Sequence, residues 1–323
     1  MTDYVPKNIL VTGSLGFIGS NLANYLAKKY NVIAVDKYDY CSRKANITDD
    51  NIIIYQVDIN STLDMLKIMQ THNIDTIIHM AASSHVDRSY SSVSEFTRNN
   101  ILGTYALLDV CHAYGKIKRF IHVSTDEVYG EHNDDDIDGF KEDAPMKPTN
   151  LYSASKCSSE NAVWGYYKSY NIPIIITRSN NVMGQFQYPE KVIPKFIVQL
   201  LTGKPITLQG GGKCKRTFIY VNDIVQTFDL VLHKGVIGEI YNIGSEDEYT
   251  ILEIANILND MICPEKDLVT VEIPDRNFND CRYHINYDKI KALGSIPKTP
   301  FKQALQETID YYTKHLSEYA FCI

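Results

Sequence analysis

NILVTGSLGFIGSNLANYL, Asn8 to Leu26, decides the fold. The run NILVT reads as a short buried strand, Gly13-Ser-Leu-Gly16-Phe-Ile-Gly19 as a tight turn, and Phe17 to Tyr30 as a helix that the turn opens. Glycines allow close backbone approach, and the free N–H groups at a helix start attract an anion such as a pyrophosphate. Gly-rich turns also arise for steric reasons alone, so context carries the reading. The next apolar run, NVIAVD (31 to 36), ends in Asp36, about 20 residues on, where a carboxylate accepts hydrogen bonds from ribose hydroxyls. That acid favours NAD over NADP, whose 2′-phosphate it repels, with Lys37 beside it as the opposing charge. Asp58, closing NIIIYQVD (51 to 58), either meets an adenine or caps the following turn.

The same rhythm continues outward. DTIIHM (75 to 80), RFIHVS (119 to 124) and IPIIITR (172 to 178) alternate with helix-like segments at 62 to 71 and 93 to 114. Near-continuous Ile and Val runs bounded by helices predict a parallel sheet covered on both faces, a doubly wound α/β fold. Beyond residue 180 the rhythm changes to short strands such as PITLQ and EIYNI, with helices near 192 to 203, 222 to 233, 250 to 262 and 300 to 316. This predicts residues 1–180 as the dinucleotide-binding domain and 181–323 as a smaller α+β domain, with the chain able to cross between them.

Composition removes several function classes. In 323 residues, 44% are hydrophobic and 22% charged, the mix of an ordinary soluble domain, and no run of about 18 apolar residues spans a membrane. The first strand is too short, and too soon interrupted by Gly13, to be a signal peptide. Seven cysteines without a C-x-x-C pair argue against a disulfide framework and a zinc site, and point to a reducing, cytoplasmic compartment. A net charge of −7 offers no footprint for nucleic acid. The acidic stretch His132 to Asp138 reads as a solvated loop, with nothing to fix a metal's geometry.

A second constellation is Tyr152-Ser-Ala-Ser-Lys156, at the start of a helix. The i, i+4 spacing puts both side chains on one face, so the ammonium can stabilise a phenolate and draw the tyrosine pKa down. A tyrosine so tuned takes a proton from an alcohol while hydride leaves its carbon. VSTDEVYG, Val123 to Gly130, adds a question, because Asp126 and Glu127 are adjacent and neighbours on a strand face opposite sides.

With these motifs in place, the chain resembles the extended short-chain dehydrogenase/reductase superfamily, and within it the nucleotide-sugar 4,6-dehydratases of the dTDP-glucose type. The likeness includes AASSHVDRSY (81 to 90), NNILGT (99 to 104), STDEVYG, YSASK, YPEKVIP (188 to 194), GGGKCKRTFIYVNDI (210 to 224), YNIG (241 to 244) and DRNFNDCRY (275 to 283). It implies a Rossmann domain, a C-terminal nucleotide-sugar domain with the site between them, NAD as cofactor, and a homodimer joined through helices at 93 to 114 and 152 to 170. The cofactor contacts it implies are Gly13, Gly16, Phe17, Ile18, Gly19, Asp36, Lys37, Asp58, Ile59, Ala81, Ala82, Asn99, Tyr152 and Lys156. Substrate contacts fall on Ser84, Asp126, Asn181, Lys191, Val192, Arg216, Asn242 and Arg276, the two arginines suiting a diphosphate. His85 and His79 read as structural.

The family pattern also answers the question of the paired acids. Oxidation at C4 of a sugar acidifies the C5 proton; Glu127 would remove it, Asp126 would protonate the departing C6 hydroxyl, and Thr125 would bond the C4 hydroxyl. Both acids can face one ring only if the chain leaves strand geometry by Thr125, and Asp126 must start protonated, so burial and its charged neighbour should raise its pKa. An NAD-dependent epimerase or decarboxylase would need no C6 acid, and a non-catalytic binding module would need neither Tyr152 nor Lys156. Departures from the pattern lie at Asn99-Asn100, Val182-Met183-Gly184 and YDYCSRKAN (38 to 46). They leave open glucose or N-acetylglucosamine, UDP or dTDP, and the face on which the C5 proton returns.

Overall fold

The computed structural model describes residues 4–133, 137–276, 278–295 and 297–322. Asp134 to Asp136 of the acidic stretch, and Asn277 within DRNFNDCRY, lie outside them. The first half alternates as its apolar runs predict: β1 (Asn8–Thr12), α1 (Phe17–Ala27), β2 (Asn31–Asp36), β3 (Ile53–Gln56), α2 (Thr62–His72) and β4 (Thr76–His79). Two short helices follow, α3 (Val86–Ser91) and α4 (Val93–Phe96), then α5 (Gly103–Tyr114), β5 (Arg119–Thr125), α6 (Leu151–Tyr170) and β6 (Ile174–Ser179). The second half holds β7 (Asn181–Met183), α7 (Val192–Leu201), β8 (Ile206–Gln209), β9 (Lys215–Tyr220), α8 (Val221–Lys234) and β10 (Ile240–Ile243). It ends with β11 (Glu248–Thr250), α9 (Ile251–Ile262), β12 (Thr270–Ile273), α10 (Asp288–Leu293), α11 (Phe301–Lys314) and α12 (Leu316–Tyr319).

Seven strands form one parallel sheet in the order β10-β6-β5-β4-β1-β2-β3. Its strands read as unbroken apolar runs because both faces are covered: Ile9 and Val11 pack with Leu22 and Leu26 of α1 on one side, while Leu10 packs with Leu107 and Leu108 of α5 on the other. Strand order reverses beside β1, the switch point at which doubly wound sheets open a crevice. From beyond residue 180, β10 pairs with β6, and Asp229 of α8 holds Lys29 at 2.6 Å. The smaller region adds the sheet β11-β9-β7 and the pair β12-β8. Its Phe196, Phe228, Leu258 and Leu305 belong to the same core as Ile9, so one apolar interior runs under both.

Two local departures matter for the site. The helix expected over 93 to 114 is interrupted at Thr97–Leu102 by a wide, π-type turn. That turn carries Asn99 and Asn100 toward Ser83: Asn99 Nδ2 donates to Ser83 Oγ at 2.8 Å and Asn100 Nδ2 to Ser83 O at 3.0 Å. The stretch around 132 is not uniformly solvated, since His132 is buried and its N–H donates to Arg282 O at 2.9 Å.

Candidate active site

A cleft of about 310 Å³ runs along the C-terminal ends of β1, β2, β4, β5 and β6 and reaches the segment before α7. Its cofactor half starts at the glycine turn. Gly13 sits at φ +67, and a Cβ there would lie 2.8 Å from Ala81 Cα; a Cβ on Gly19 would lie 2.1 Å from Gly13 O. No side chain caps α1 and its first turn holds no acid, so the N–H groups of Phe17, Ile18 and Gly19 open onto the cleft. Ile59, Ala81, Ala82 and Asn99 also line it. Asp36 accepts from Leu15 N at 3.0 Å, Tyr38 N at 2.8 Å and Ser42 Oγ at 2.8 Å. Lys37, whose charge would welcome a 2′-phosphate, is already paired with Asp39 at 2.9 Å. Asp58 caps its own turn, accepting from Asn60 N at 2.9 Å and Nδ2 at 2.8 Å, while still lining the cleft. Backbone held too close for a Cβ, an uncapped helix start and a buried acid at the end of β2 fit a dinucleotide.

The chemistry gathers where β5 ends. Thr125 is extended, at φ −137 and ψ 153, and Asp126–Tyr129 then form a single tight helical turn. The break expected from the paired acids is therefore present, and both carboxylates line the cleft. Strand register places Thr125 opposite Ser179, which brings the next residues together: Asn180 Nδ2 donates to Asp126 Oδ2 at 2.6 Å. Thr125 Oγ1 donates to Asp126 Oδ1 at 3.2 Å and accepts from Glu127 N at 3.3 Å. Burial, then the neighbouring Glu127 charge, pushes the Asp126 carboxyl up to about 7, against the opposing bonds from Asn180 and Thr125. Burial raises Glu127 as well, with the Asn150 bond and the charges of Lys191, Arg216 and Arg276 opposing.

Asn150 has two tasks. Its Oδ1 caps α6 by accepting from Ser153 N at 2.8 Å, and this turns its Nδ2 toward Glu127 Oε2 at 3.1 Å. The helix so started presents Tyr152 and Lys156 to the cleft one turn apart. Here the structure departs from expectation. Burial and the Glu127 charge raise the Tyr152 phenol well above its ordinary value. Lys156, lowered to about 8 by burial, donates instead to Val123 O at 2.8 Å. In this form burial first, and then the neighbouring acids, favour the protonated phenol of Tyr152.

The proposed substrate contacts divide. Ser84, Asn181 and Lys191 line the cleft, with Lys191 Nζ donating to Ser84 O at 2.7 Å. Val192 starts α7 at its edge. Arg216 lies over the Tyr283 ring at 4.9 Å and donates to Asn279 Oδ1 at 3.3 Å, while Arg276 holds Asp87 at 2.6 Å. Asn242 stands apart. Fully buried, its Nδ2 donates to Phe140 O and Asn286 O, each at 2.9 Å, and its Oδ1 accepts from Tyr129 OH at 2.8 Å. His79 is a satisfied core histidine between Thr12 and Thr104, and burial lowers it to about 3.

Residues 9–244 match the NAD dependent epimerase/dehydratase family. The chain belongs to that family. Among curated relatives, it is 42% identical to the trifunctional UDP-glucose 4,6-dehydratase/UDP-4-keto-6-deoxy-D-glucose 3,5-epimerase/UDP-4-keto-L-rhamnose-reductase RHM3 of Arabidopsis thaliana, over 98% of this chain and 48% of the plant protein. It thus spans about half the length of that relative. It is 40% identical to the dTDP-D-glucose 4,6-dehydratase of Dictyostelium discoideum, over 96% of this chain and 82% of the other. Among solved structures, DesIV, the dTDP-glucose 4,6-dehydratase of Streptomyces venezuelae with NAD and TYD bound, superposes with a TM-score of 0.91. It is 35% identical, covering 97% of this chain and 98% of that one.

Within this epimerase/dehydratase chain, sequence reasoning missed Asn150, Asn180, and the group formed by Tyr40, Arg88 and Glu190. Tyr40 OH donates to both Glu190 oxygens, at 2.7 and 2.8 Å, and the Arg88 guanidinium lies 3.8 Å over its ring. For Asn180 the signal stood next door, in the Asn181 that the motif match had selected.

Proposed function

We propose that this chain is an NAD-dependent nucleotide-sugar 4,6-dehydratase, converting a UDP- or dTDP-linked hexose to its 4-keto-6-deoxy form. One observation carries the reading: two adjacent acids turned into the same cleft beside Thr125 and Tyr152, with Asp126 raised to about 7. Alcohol oxidation alone, as in an epimerase or decarboxylase, leaves Asp126 without a task. The glycine turn and Asp36 would hold NAD, which would supply a hydride acceptor and later donor together with a positive charge opposing the acids around Tyr152. Tyr152 then takes the C4 hydroxyl proton, with Thr125 holding that hydroxyl and Lys156 favouring the phenolate. Glu127, kept in place by Asn150, removes the C5 proton that the 4-keto group has acidified. Asp126, carrying its proton near neutral pH, gives it to the leaving C6 hydroxyl.

Lys191, Arg216 and Arg276 bring positive charge to the substrate side and suit a diphosphate. The relatives named for UDP-glucose and dTDP-D-glucose support a glucosyl substrate over the N-acetylated one. The same reading has the enzyme cytoplasmic and homodimeric, joined through α5 and α6, where Tyr105 and Tyr170 are exposed. Among the described residues no helix is long and apolar enough to cross a membrane.

The test is mass spectrometry of UDP-glucose, dTDP-glucose and UDP-N-acetylglucosamine after incubation with the protein and NAD. The expected product has lost one water with no net NADH; three unchanged substrates would sink the proposal. Glu127→Gln should stop water loss while NADH absorbance accumulates.

A further inference from the structure

Cys214, immediately before β9, and Cys281, in the segment 278–283, lie with their sulfurs 3.3 Å apart across 67 residues of sequence. Both are free thiols, Cys281 exposed and Cys214 half-buried. The backbone already brings the two segments together, since Lys215 N donates to Cys281 O at 2.7 Å. Cys281 N donates to Glu131 Oε1 at 2.7 Å, and Arg216 reaches Cys281 O at 3.4 Å. The same segment carries Tyr283, whose OH meets Glu127 Oε2 at 3.5 Å.

We propose that Cys214 and Cys281 are a redox modification site, a dithiol that closes to a disulfide and ties the 278–283 segment to β9. The chemistry needs a thiol oxidant, and a small-molecule disulfide such as glutathione disulfide serves. The Cys281 thiolate attacks one glutathione sulfur and expels a glutathione thiolate, leaving a mixed disulfide. The Cys214 thiolate then attacks the Cys281 sulfur, the protein disulfide forms, and the second glutathione leaves as thiolate. The two protons shed by the protein thiols end on the two glutathiones; two cysteines are oxidised and one disulfide reduced. Exposure of Cys281 makes it the first thiol to react, and the short gap to Cys214 makes the second step intramolecular. In a reducing compartment the pair rests open and closes when the thiol poise shifts.

The experiment is incubation of the full chain with excess glutathione disulfide, followed by intact mass, alkylation with iodoacetamide and peptide mapping. Loss of two hydrogens, protection of both cysteines, and a cross-linked peptide pair reversed by dithiothreitol are expected. The thermal midpoint should rise by a few degrees and return on reduction, because the bond closes a long loop. Cys214→Ser and Cys281→Ser should each abolish the cross-link, and Cys263→Ser should leave it intact. A glutathione adduct that persists on Cys281, or two thiols that stay fully alkylatable, would overturn the proposal.

Discussion

Two buried acids are served by residues two apart on the end of β6, and they are treated in opposite ways. Glu160 meets Arg178: Nη2 to Oε2 is 2.6 Å, Nε reaches both oxygens at 3.2 and 3.1 Å, and the side chains are 0% and 3% exposed. The guanidinium also lies 4.7 Å over Tyr129 and donates to Glu142 O at 3.2 Å. Asp126, 2% exposed, accepts hydrogen bonds from the neutral amide of Asn180 and the hydroxyl of Thr125, and has another acid beside it. A cation makes the first acid a permanent charge that ties α6 to β6. An amide leaves the second able to keep a proton at neutral pH, which the proposed elimination requires.

The largest effect should come from Asp126→Asn. The amide keeps the shape and the low charge but cannot deliver a proton, so water loss should fall by roughly 10²- to 10⁴-fold, the range for a positioned general acid. Product formation within about threefold of the parent would break the comparison. The same variant tests the titration through stability. The folded carboxyl titrates near 7, against about 3.9 for an unfolded aspartate. Between those values the folded state holds a proton that the unfolded state has released, so the unfolding free energy falls as pH rises through the window and levels off above it. Glu127, also raised, adds a slope of the same sign. Urea unfolding at about pH 5 and about pH 7.5 should show a smaller pH difference for the Asp126→Asn variant than for the parent, and identical differences would contradict the assignment.

How much of this contrast is legible in the sequence depends on distance along the chain. The turn at Asp126 follows from local reasoning, since two adjacent acids cannot share one face of a strand. The glycine turn and Asp36 are local in the same sense. The partner of Asp126 is not, because it comes from the pairing of Thr125 with Ser179, a register between strands joined by a long crossover. Asn242 shows the reverse error, for a motif match assigns it to substrate while its amide is committed to Phe140 and Asn286 in the core. Tyr152 and Lys156 lie on one helix face as their spacing predicts, yet the phenol is raised by burial first and then by Glu127, 25 residues earlier, and folding sets both. The pairing of Cys214 with Cys281 carries no spacing signal at all.

Arg178→Met probes the other acid. Removing the cation leaves Glu160 buried without its counter-charge, and the cost should be about 3–5 kcal/mol of unfolding free energy. The double variant Arg178→Met with Glu160→Leu should recover most of that, since the lost stability belongs to the orphaned carboxylate. If the single and double variants were equally destabilised, the pair would be acting through packing on Tyr129, and its charge would not be what distinguishes it from Asp126.

The smallest effect, and the sharpest on the comparison, should come from Asn180→Leu. The Asn180 amide favours the ionised form of Asp126, opposing burial and the Glu127 charge. Leucine occupies similar space but donates nothing, so the Asp126 pKa should rise above its present value of about 7. Elimination needs the protonated acid, and the alkaline limb of the pH–rate profile should therefore move to higher pH, by about one unit or less, with little loss at the optimum. Asn180 keeps its backbone bond to Ile243 O whatever its side chain, so the strand end should hold. A limb that moved to lower pH would mean that the amide had been holding the proton on Asp126, and the contrast with Arg178 would then be one of degree only.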